Sequence, residues 1–466
     1  MGWLQKLFGK EETTSTPAND TKENSKPSRY DFLPGLTSSI RLGRYTDYHK
    51  SPEQIRSWQL AETKYGDKQY ADAIFAFLDF LSDPDEQNLS CRAEDGGFRF
   101  QLIQGSREIT GIYDGKCIRA YTPIAQMSQP GTAVMRKLLE LNYSLYYSHS
   151  ALSKAGKLKM IFSSPVSAAH PARLYFGLKE LATKSDQVDD LLLSEFDILE
   201  PIPPTHIQLL PEKELEIRYQ FFQHWLEETL TQVNALNPDI FSGAIAYLLL
   251  SLIYRIDFLL TPEGKLLASL EQIHTLYWQQ EEGVGIAERN QRMLEAVRAL
   301  QEISQEEFSA CMFRTKYTFS IAQPPDSAKM AEYVTAAIND AQWYMANGYA
   351  EIAPYICEYC LLYCQFVYSL HPVQTDLILI FMATIHPGFF QSFGMTKPFF
   401  NTAIHALDKT DIIIAIDSVI QKHQHRHPEL TWDHTQVSYQ NLPEFCISFS
   451  AQLASLNLDV AKDLTT

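Results

Sequence analysis

Between residues 88 and 162, apolar and polar side chains alternate through a run of short, glycine-punctuated segments. Leu89, Cys91 and Ala93 interleave with Ser90, Arg92 and Glu94, and Phe98, Phe100 and Leu102 interleave with Arg99 and Gln101. A period of two is what a half-buried strand requires, because successive side chains point to opposite faces of a sheet. Turn residues recur at Asp95-Gly96-Gly97, Gln104-Gly105-Ser106 and Asp114-Gly115, which is the spacing of an antiparallel meander. Two more strands are predicted over 146–152 and 158–162, joined by Ala155-Gly156.

Helical spacing brackets these strands. Ser51-Pro52-Glu53 has a capping residue followed by proline at the first helical position, and Trp58, Ala61 and Tyr65 then recur at helical intervals. After Gly66-Asp67, the residues Tyr70, Ala73, Ile74, Phe77, Leu78 and Leu81 give a second helix with a wide apolar face. A helix from Thr132 carries Met135, Leu138 and Leu139, and helices over 171–196 close the unit. Runs of helix, strands, helix, strands and helix predict an α+β fold with an antiparallel sheet. Pro201-Ile202-Pro203-Pro204 breaks the pattern. Beyond it the period becomes 3.6, through Leu215, Tyr219, Phe222, Leu226, Leu230 and Val233, and helices continue to about residue 456. The expected organisation is a tail and disordered linker over 1–29, an α+β domain over 30–200 and an all-α region over 211–466. A seam is expected near 322–327, at Gln323-Pro324-Pro325.

Composition narrows the class. A chain of 466 residues exceeds what one core usually fills, which favours two domains. The net charge of −17 argues against a nucleic-acid protein, since phosphates are not drawn to a like-signed surface. Seven cysteines, an odd number, with no secretory pattern at the start, point to the reducing cytoplasm. The most apolar stretch, 240–254, falls short of the roughly 20 residues a membrane span needs and reads as a core helix. Trp3, Leu4, Leu7 and Phe8 could give residues 1–8 weak membrane contact, though so short a segment should fray.

Asp114-Gly115-Lys116 and the phrases GIYDGKCIRAYTPIA, GTAVMRKLLELNYSLYYSHSALS and HPARLYFGLKELATKSDQVDDLLLSEF carry a resemblance to the YbjN-like family. These bacterial proteins are similar in fold to the type III secretion (Tir-type) chaperones. The resemblance covers roughly residues 51–199, and its matching positions are core and turn residues. It implies a chaperone-like fold and a non-enzymatic binding or regulatory role. It supplies no catalytic residue and does not reach the helical region.

Two clusters have the residue types of metal ligands. Cys357, Cys360 and Cys364 form C-x2-C-x3-C, which places thiols on one helical face. The apolar residues around them, Ile356, Leu361, Leu362 and Phe366, favour core packing. His423, His425 and His427 alternate, and imidazoles two apart do not share a helix face, so a zinc site there would need loop backbone. Asp83, Asp85, Gln87 and Glu94 match four positions of a calcium loop, but Asn88 stands where its glycine should be. The Asp189-Asp190 pair is expected on a solvated helix face. No phosphate-binding loop, G-x-S-x-G elbow or HExxH occurs in the sequence.

The reading that follows is a non-enzymatic cytoplasmic protein-binding chain, chaperone-like or a regulatory adaptor, with no cofactor and no catalytic or metal residues assigned. Its partner would be an unidentified protein or client segment, and a homodimer is compatible with it. Arg99, Gln101, Arg119 and Tyr121 alternate with core residues and are the candidate partner-binding set. The alternative is a metal- or small-molecule-dependent enzyme housed in the helical region.

Overall fold

The computed structural model of the protein describes residues 29–459, apart from 38, 130 and 280–282. The segment read as a membrane-touching terminus, and the linker after it up to residue 28, lie outside the described residues.

Two helices lead into the sheet, α1 (Pro52–Gly66) and α2 (Tyr70–Leu81). Ser51 and Gln54 start α1 as a reciprocal capping box, with Gln54 N–H donating to Ser51 Oγ at 3.2 Å and Ser51 N–H to Gln54 Oε1 at 2.9 Å, a device that stabilises a helix start by about 1 kcal/mol. The face of α2 predicted to be apolar buries Ile74, Phe77, Leu78 and Leu81. The meander follows as β1 (Leu89–Glu94), β2 (Gly97–Gln104), β3 (Arg107–Tyr113) and β4 (Cys117–Met127), then α3 (Thr132–Ser144), β5 (Ser148–Leu152), β6 (Lys157–Pro165), α4 (Pro171–Glu195) and β7 (Leu199–Pro201). The strand order is β1-β2-β3-β4-β6-β5, every pairing is antiparallel, and β7 pairs with β4. A register shift between Pro123 and Ala125 puts Ile124 and Ala125 inward in succession, and β7 pairs with β4 just beyond it. Gly177 of α4 lies so close to the sheet that a Cβ there would meet the Phe162 ring at 2.3 Å, so this helix contact requires glycine.

One face of the sheet is dry. Phe98, Phe100, Leu102, Ile109, Ile118, Leu158, Met160 and Phe162 form a core with Phe77, Leu138, Leu174 and Leu178. Among the described residues no helix core covers the other face, which is why the alternation is clean.

The helical region begins with β8 (Gln208–Leu209) and α5 (Glu212–Ala235). It continues with α6 (Ser242–Arg255), extended by one π-helical turn, Ile256–Leu260, and then α7 (Gly264–Trp278), α8 (Ile286–Gln301) and α9 (Gln305–Ala310). Strand β9 (Phe313–Arg314) pairs with β8, and α10 (Ser327–Ala346), α11 (Ala353–Val367), α12 (Pro372–Ile385), α13 (Pro387–Ser392), α14 (Lys409–His423) and α15 (Leu442–Ala454) complete the region. Ser242–Leu260 is 19 residues, long and apolar enough to cross a membrane by composition, but its most apolar window is 89% buried inside the protein. It packs as a core helix. The core around it is continuous from Leu210 to Leu453 and includes residues on both sides of 322–327.

Several features depart from the expected layout. Tyr30, Phe32, Leu33, Leu36, Ile40 and Leu42, assigned by sequence order to the first domain, are buried in the helical core. In the opposite direction, Phe319 of the helical region is 1% exposed within the sheet-domain core, edge-on to Tyr175 at 5.6 Å. Residues Leu199–Pro201, at the expected end of the first domain and the start of the proline run, form a seventh strand. Asp189 is 1% exposed and paired with Arg107, the reverse of a solvated position; arginine at the start of β3 makes burial of the carboxylate tolerable. The strand predicted from residue 146 starts at Ser148, because Glu180 captures the backbone N–H groups of Tyr146, Tyr147 and Ser148.

Candidate partner-binding face

The antiparallel register sets the uncovered face of the sheet residue by residue. One rung reads Arg92, Arg99, Ile112, Arg119, Ser163 across β1, β2, β3, β4 and β6. The next reads Ser90, Gln101, Thr110, Tyr121, Ile161, His149 and reaches β5. All four candidate residues therefore stand on one face, on adjoining rungs: Arg99 and Arg119 on the first, Gln101 and Tyr121 on the second.

Their hydrogen bonds are local and wet. Arg99 Nε donates to Glu94 Oε1 at 2.7 Å, Gln101 Nε2 donates to Glu108 Oε1 at 2.8 Å, and Arg119 pairs with Asp114. The hydrogen bond from Arg99 holds the Glu94 carboxyl below its ordinary range. Asp114 is held low by the N–H groups of Cys117 and Lys116, at 2.8 and 3.0 Å. Lys159 Nζ sits 4.5 Å from the centre of the Tyr121 ring, a cation–π distance. Arg92, Arg99, Arg119, Lys157 and Lys159 share the face with Glu94, Glu108 and Glu200, and with Asp114 at its edge. Cations thus slightly outnumber anions on this face of a strongly acidic protein. On the opposite, helix-covered side of the sheet, between α2 and the β1–β2 hairpin, lies a cavity of about 370 Å³ lined by Ala71, Phe75, Ala93, Phe98 and Tyr113 among others.

The two sulfur and imidazole clusters lie elsewhere. Cys357, Cys360 and Cys364 are buried in α11. Burial pushes the Cys357 thiol up to about 12, and a hydrogen bond with Cys364, then burial, raises Cys360 well above the usual thiol range. The three histidines diverge: His423 Nε2 meets Asp376 Oδ2 at 2.8 Å, His425 Nδ1 the Lys422 carbonyl at 3.0 Å, and His427 Nδ1 the Leu458 carbonyl at 2.9 Å. Among the described residues no three His, Cys, Asp or Glu side chains are arranged to hold a metal ion. Asp83, in the sequence match to a calcium loop, instead accepts the N–H groups of Asp85 and Glu86 in a turn.

Sequence reasoning missed the junction between the two cores. A cavity of about 80 Å³ there is lined by Arg41, Arg44, Asp186, Asp257, Glu263 and Tyr317 among others. Arg44 forms a bidentate pair with Asp257, its Nε donating at 2.9 Å and Nη2 at 2.7 Å. Tyr317 donates to Glu263, whose carboxyl burial and then Asp186 push well above the usual range. The segment 315–320 stitches the sheet on. Gln104 Oε1 accepts the N–H groups of Thr318 and Phe319 at 3.3 and 3.0 Å, and Asp47 accepts from Ser320 N–H at 2.8 Å and Tyr175 OH at 2.9 Å. One signal was present in the sequence, since Arg255 and Asp257 interrupt the most apolar run of the chain. Comparison with known proteins found no matching family model and no match among curated proteins.

Proposed function

We propose that this chain is a non-enzymatic cytoplasmic adaptor whose sheet domain, YbjN-like and chaperone-like, binds a partner protein on its open face. The observation that carries this reading is the sign of the charge. Five cationic side chains outnumber the carboxylates of Glu94, Glu108, Glu200 and Asp114 on that face, on a chain of net charge −17. A local inversion of this kind favours an acidic partner and speeds its encounter. Tyr121 supplies a ring that contacts a partner at little entropic cost. An acidic, extended client segment fits these features best.

The test is affinity capture with tagged full-length protein, followed by mass spectrometry, beside the R99E/R119E double variant. A reproducible partner retained by the unaltered chain and lost from the variant supports the reading. Recovery of no partner, with and without crosslinking, or equal recovery by both proteins, removes it.

A further inference from the structure

The cavity of about 80 Å³ between the two cores has a charge pattern that its own residues leave incomplete. Four arginines line it: Arg41 and Arg44 from the segment ahead of the sheet domain, Arg218 of α5 and Arg314 of β9. Three carboxylates answer them. Arg41 pairs with Glu86 and Arg44 with Asp257, while Arg218 and Arg314 share the two oxygens of Glu214, at 3.0 and 2.6 Å. One positive charge is left over from these pairs.

Two donors on the same arginines are unused. Arg314 Nε is buried and has no hydrogen-bond partner among the described residues. Arg44 turns Nε and Nη2 to Asp257, and its Nη1 stands 3.7 Å from Glu271 Oε1, too far for a hydrogen bond. The other acidic lining residues are committed elsewhere. Asp186 of α4 accepts from the Ser106 N–H at 2.8 Å and the Ser106 hydroxyl at 3.0 Å, on the sheet-domain side. Glu263 accepts from Tyr317, and burial, then Asp186, push its carboxyl well above the usual range, although Arg44 and Arg41 pull the other way. In its neutral form that carboxyl faces an anion without repulsion and has a proton to donate.

We propose that the seam between the two cores binds a small oxyanion, a phosphate or a short-chain carboxylate, held by Arg314 Nε and Arg44 Nη1. Guanidinium N–H groups suit both oxyanions. Volume sets the size. One water needs roughly 10–15 Å³ on this measure, so the cavity holds on the order of five to eight non-hydrogen atoms. The site is separate from the open face, since neither arginine belongs to a strand of that sheet. Arg314 leads directly into residues 315–320, which bond to the sheet domain through Gln104 and Asp47. A ligand bound only by the folded chain stabilises it, so an oxyanion here would tighten the junction of the two cores.

Titration calorimetry on the full chain tests this, with sodium phosphate and sodium acetate as probes and chloride holding the ionic strength constant. Saturable one-to-one binding of either oxyanion, with a Kd of about 1 mM or tighter, is the expected result, and the tighter of the two names the ligand class. R314K keeps a cation for Glu214 but lacks the Nε–H, and R314Q lacks both. Each should weaken binding roughly tenfold or more, and R314K carries the test if R314Q fails to fold. E263Q fixes the neutral form of that side chain and should bind at least as tightly as the unaltered chain. No saturable heat from either probe up to about 50 mM, or equal affinity in the unaltered chain and R314K, overturns the proposal. So does loss of binding in E263Q, or binding of ethylammonium in place of both anions, because the cavity would then be reading Glu263 as a carboxylate.

Discussion

Apart from the buried Arg107–Asp189 pair, the strands of the sheet keep their charges on one wet face, whereas the helical region buries an ion pair at its centre. Arg99 and Arg119 hold their carboxylates at the surface of the sheet, within reach of water. Arg255 and Glu358 are 0% exposed and joined by two hydrogen bonds of 2.7 Å, with His386 Nε2 2.6 Å from the same carboxylate. The difference comes from the element. A strand sends alternate residues to opposite faces, so polar positions reach solvent without disturbing the core. A central helix such as α6 is surrounded, and any charge it carries needs a partner inside. The same residue types therefore carry very different weight in the two regions.

Breaking a buried pair should have the largest effect. Glu358→Ala leaves the Arg255 guanidinium uncompensated and should cost about 3–5 kcal/mol; a urea melt that shifts by less than about 1 kcal/mol would place Glu358 with the surface pairs. Phe319→Ala comes next, at about 3–4 kcal/mol. Because Phe319 sits in the sheet-domain core, the loss should appear in the unfolding of the sheet, followed by hydrogen exchange of β2 and α4. A fragment of residues 29–200 tests the same coupling. It exposes Tyr30, Phe32, Leu36 and Ile40, and it should aggregate where a fragment starting at residue 51 stays soluble.

Acid should separate the regions further. Burial pushes the Glu358 carboxyl up, but Arg255 and then His386 outweigh it and hold it at about 2. A depressed carboxyl stabilises above its unfolded value, roughly 4.3, and that stability drains away as pH falls from there towards 2. Burial, and then His49 and His427, lower His371 to about 3. Its unfolded form takes up a proton first, so stability also falls as pH drops below about 6.5. His371→Gln should flatten the decline of the melting temperature between those values, and an unchanged slope would exclude the imidazole cluster as its source. The smallest effect belongs to the open face. Arg99→Ala and Arg119→Ala should each change stability by less than about 0.5 kcal/mol, and a larger loss from either would mean that the face is structural.

The sheet was legible because its signals are local. Alternation at Leu89 to Leu102, and glycine at each turn, are read within a few residues, and the same period placed Arg99, Gln101, Arg119 and Tyr121 on one face. Their adjacency on neighbouring rungs was not readable, because register across β2, β3 and β4 depends on pairing between strands. Asp189 was misjudged for a related reason: its arginine partner lies 82 positions away, so no helical spacing could reveal it.

What the chain determined by itself was the order and kind of its elements, from hydrophobic period, capping residues and turn glycines. Tertiary structure alone decided which core each segment joined. Residues 30–42 precede the sheet domain yet pack with the helices, and Phe319 lies among helices yet fills the sheet core. Burial depends on where a segment lands in space, and an apolar residue gains the same free energy in either core. Sequence order therefore does not bind it to its neighbours; hydrogen bonds at Gln104, Asp47 and Gly105 hold 315–320 on the sheet domain, and those of Thr37 with Phe393 and Thr396 with Pro34 hold 30–42 on the helices.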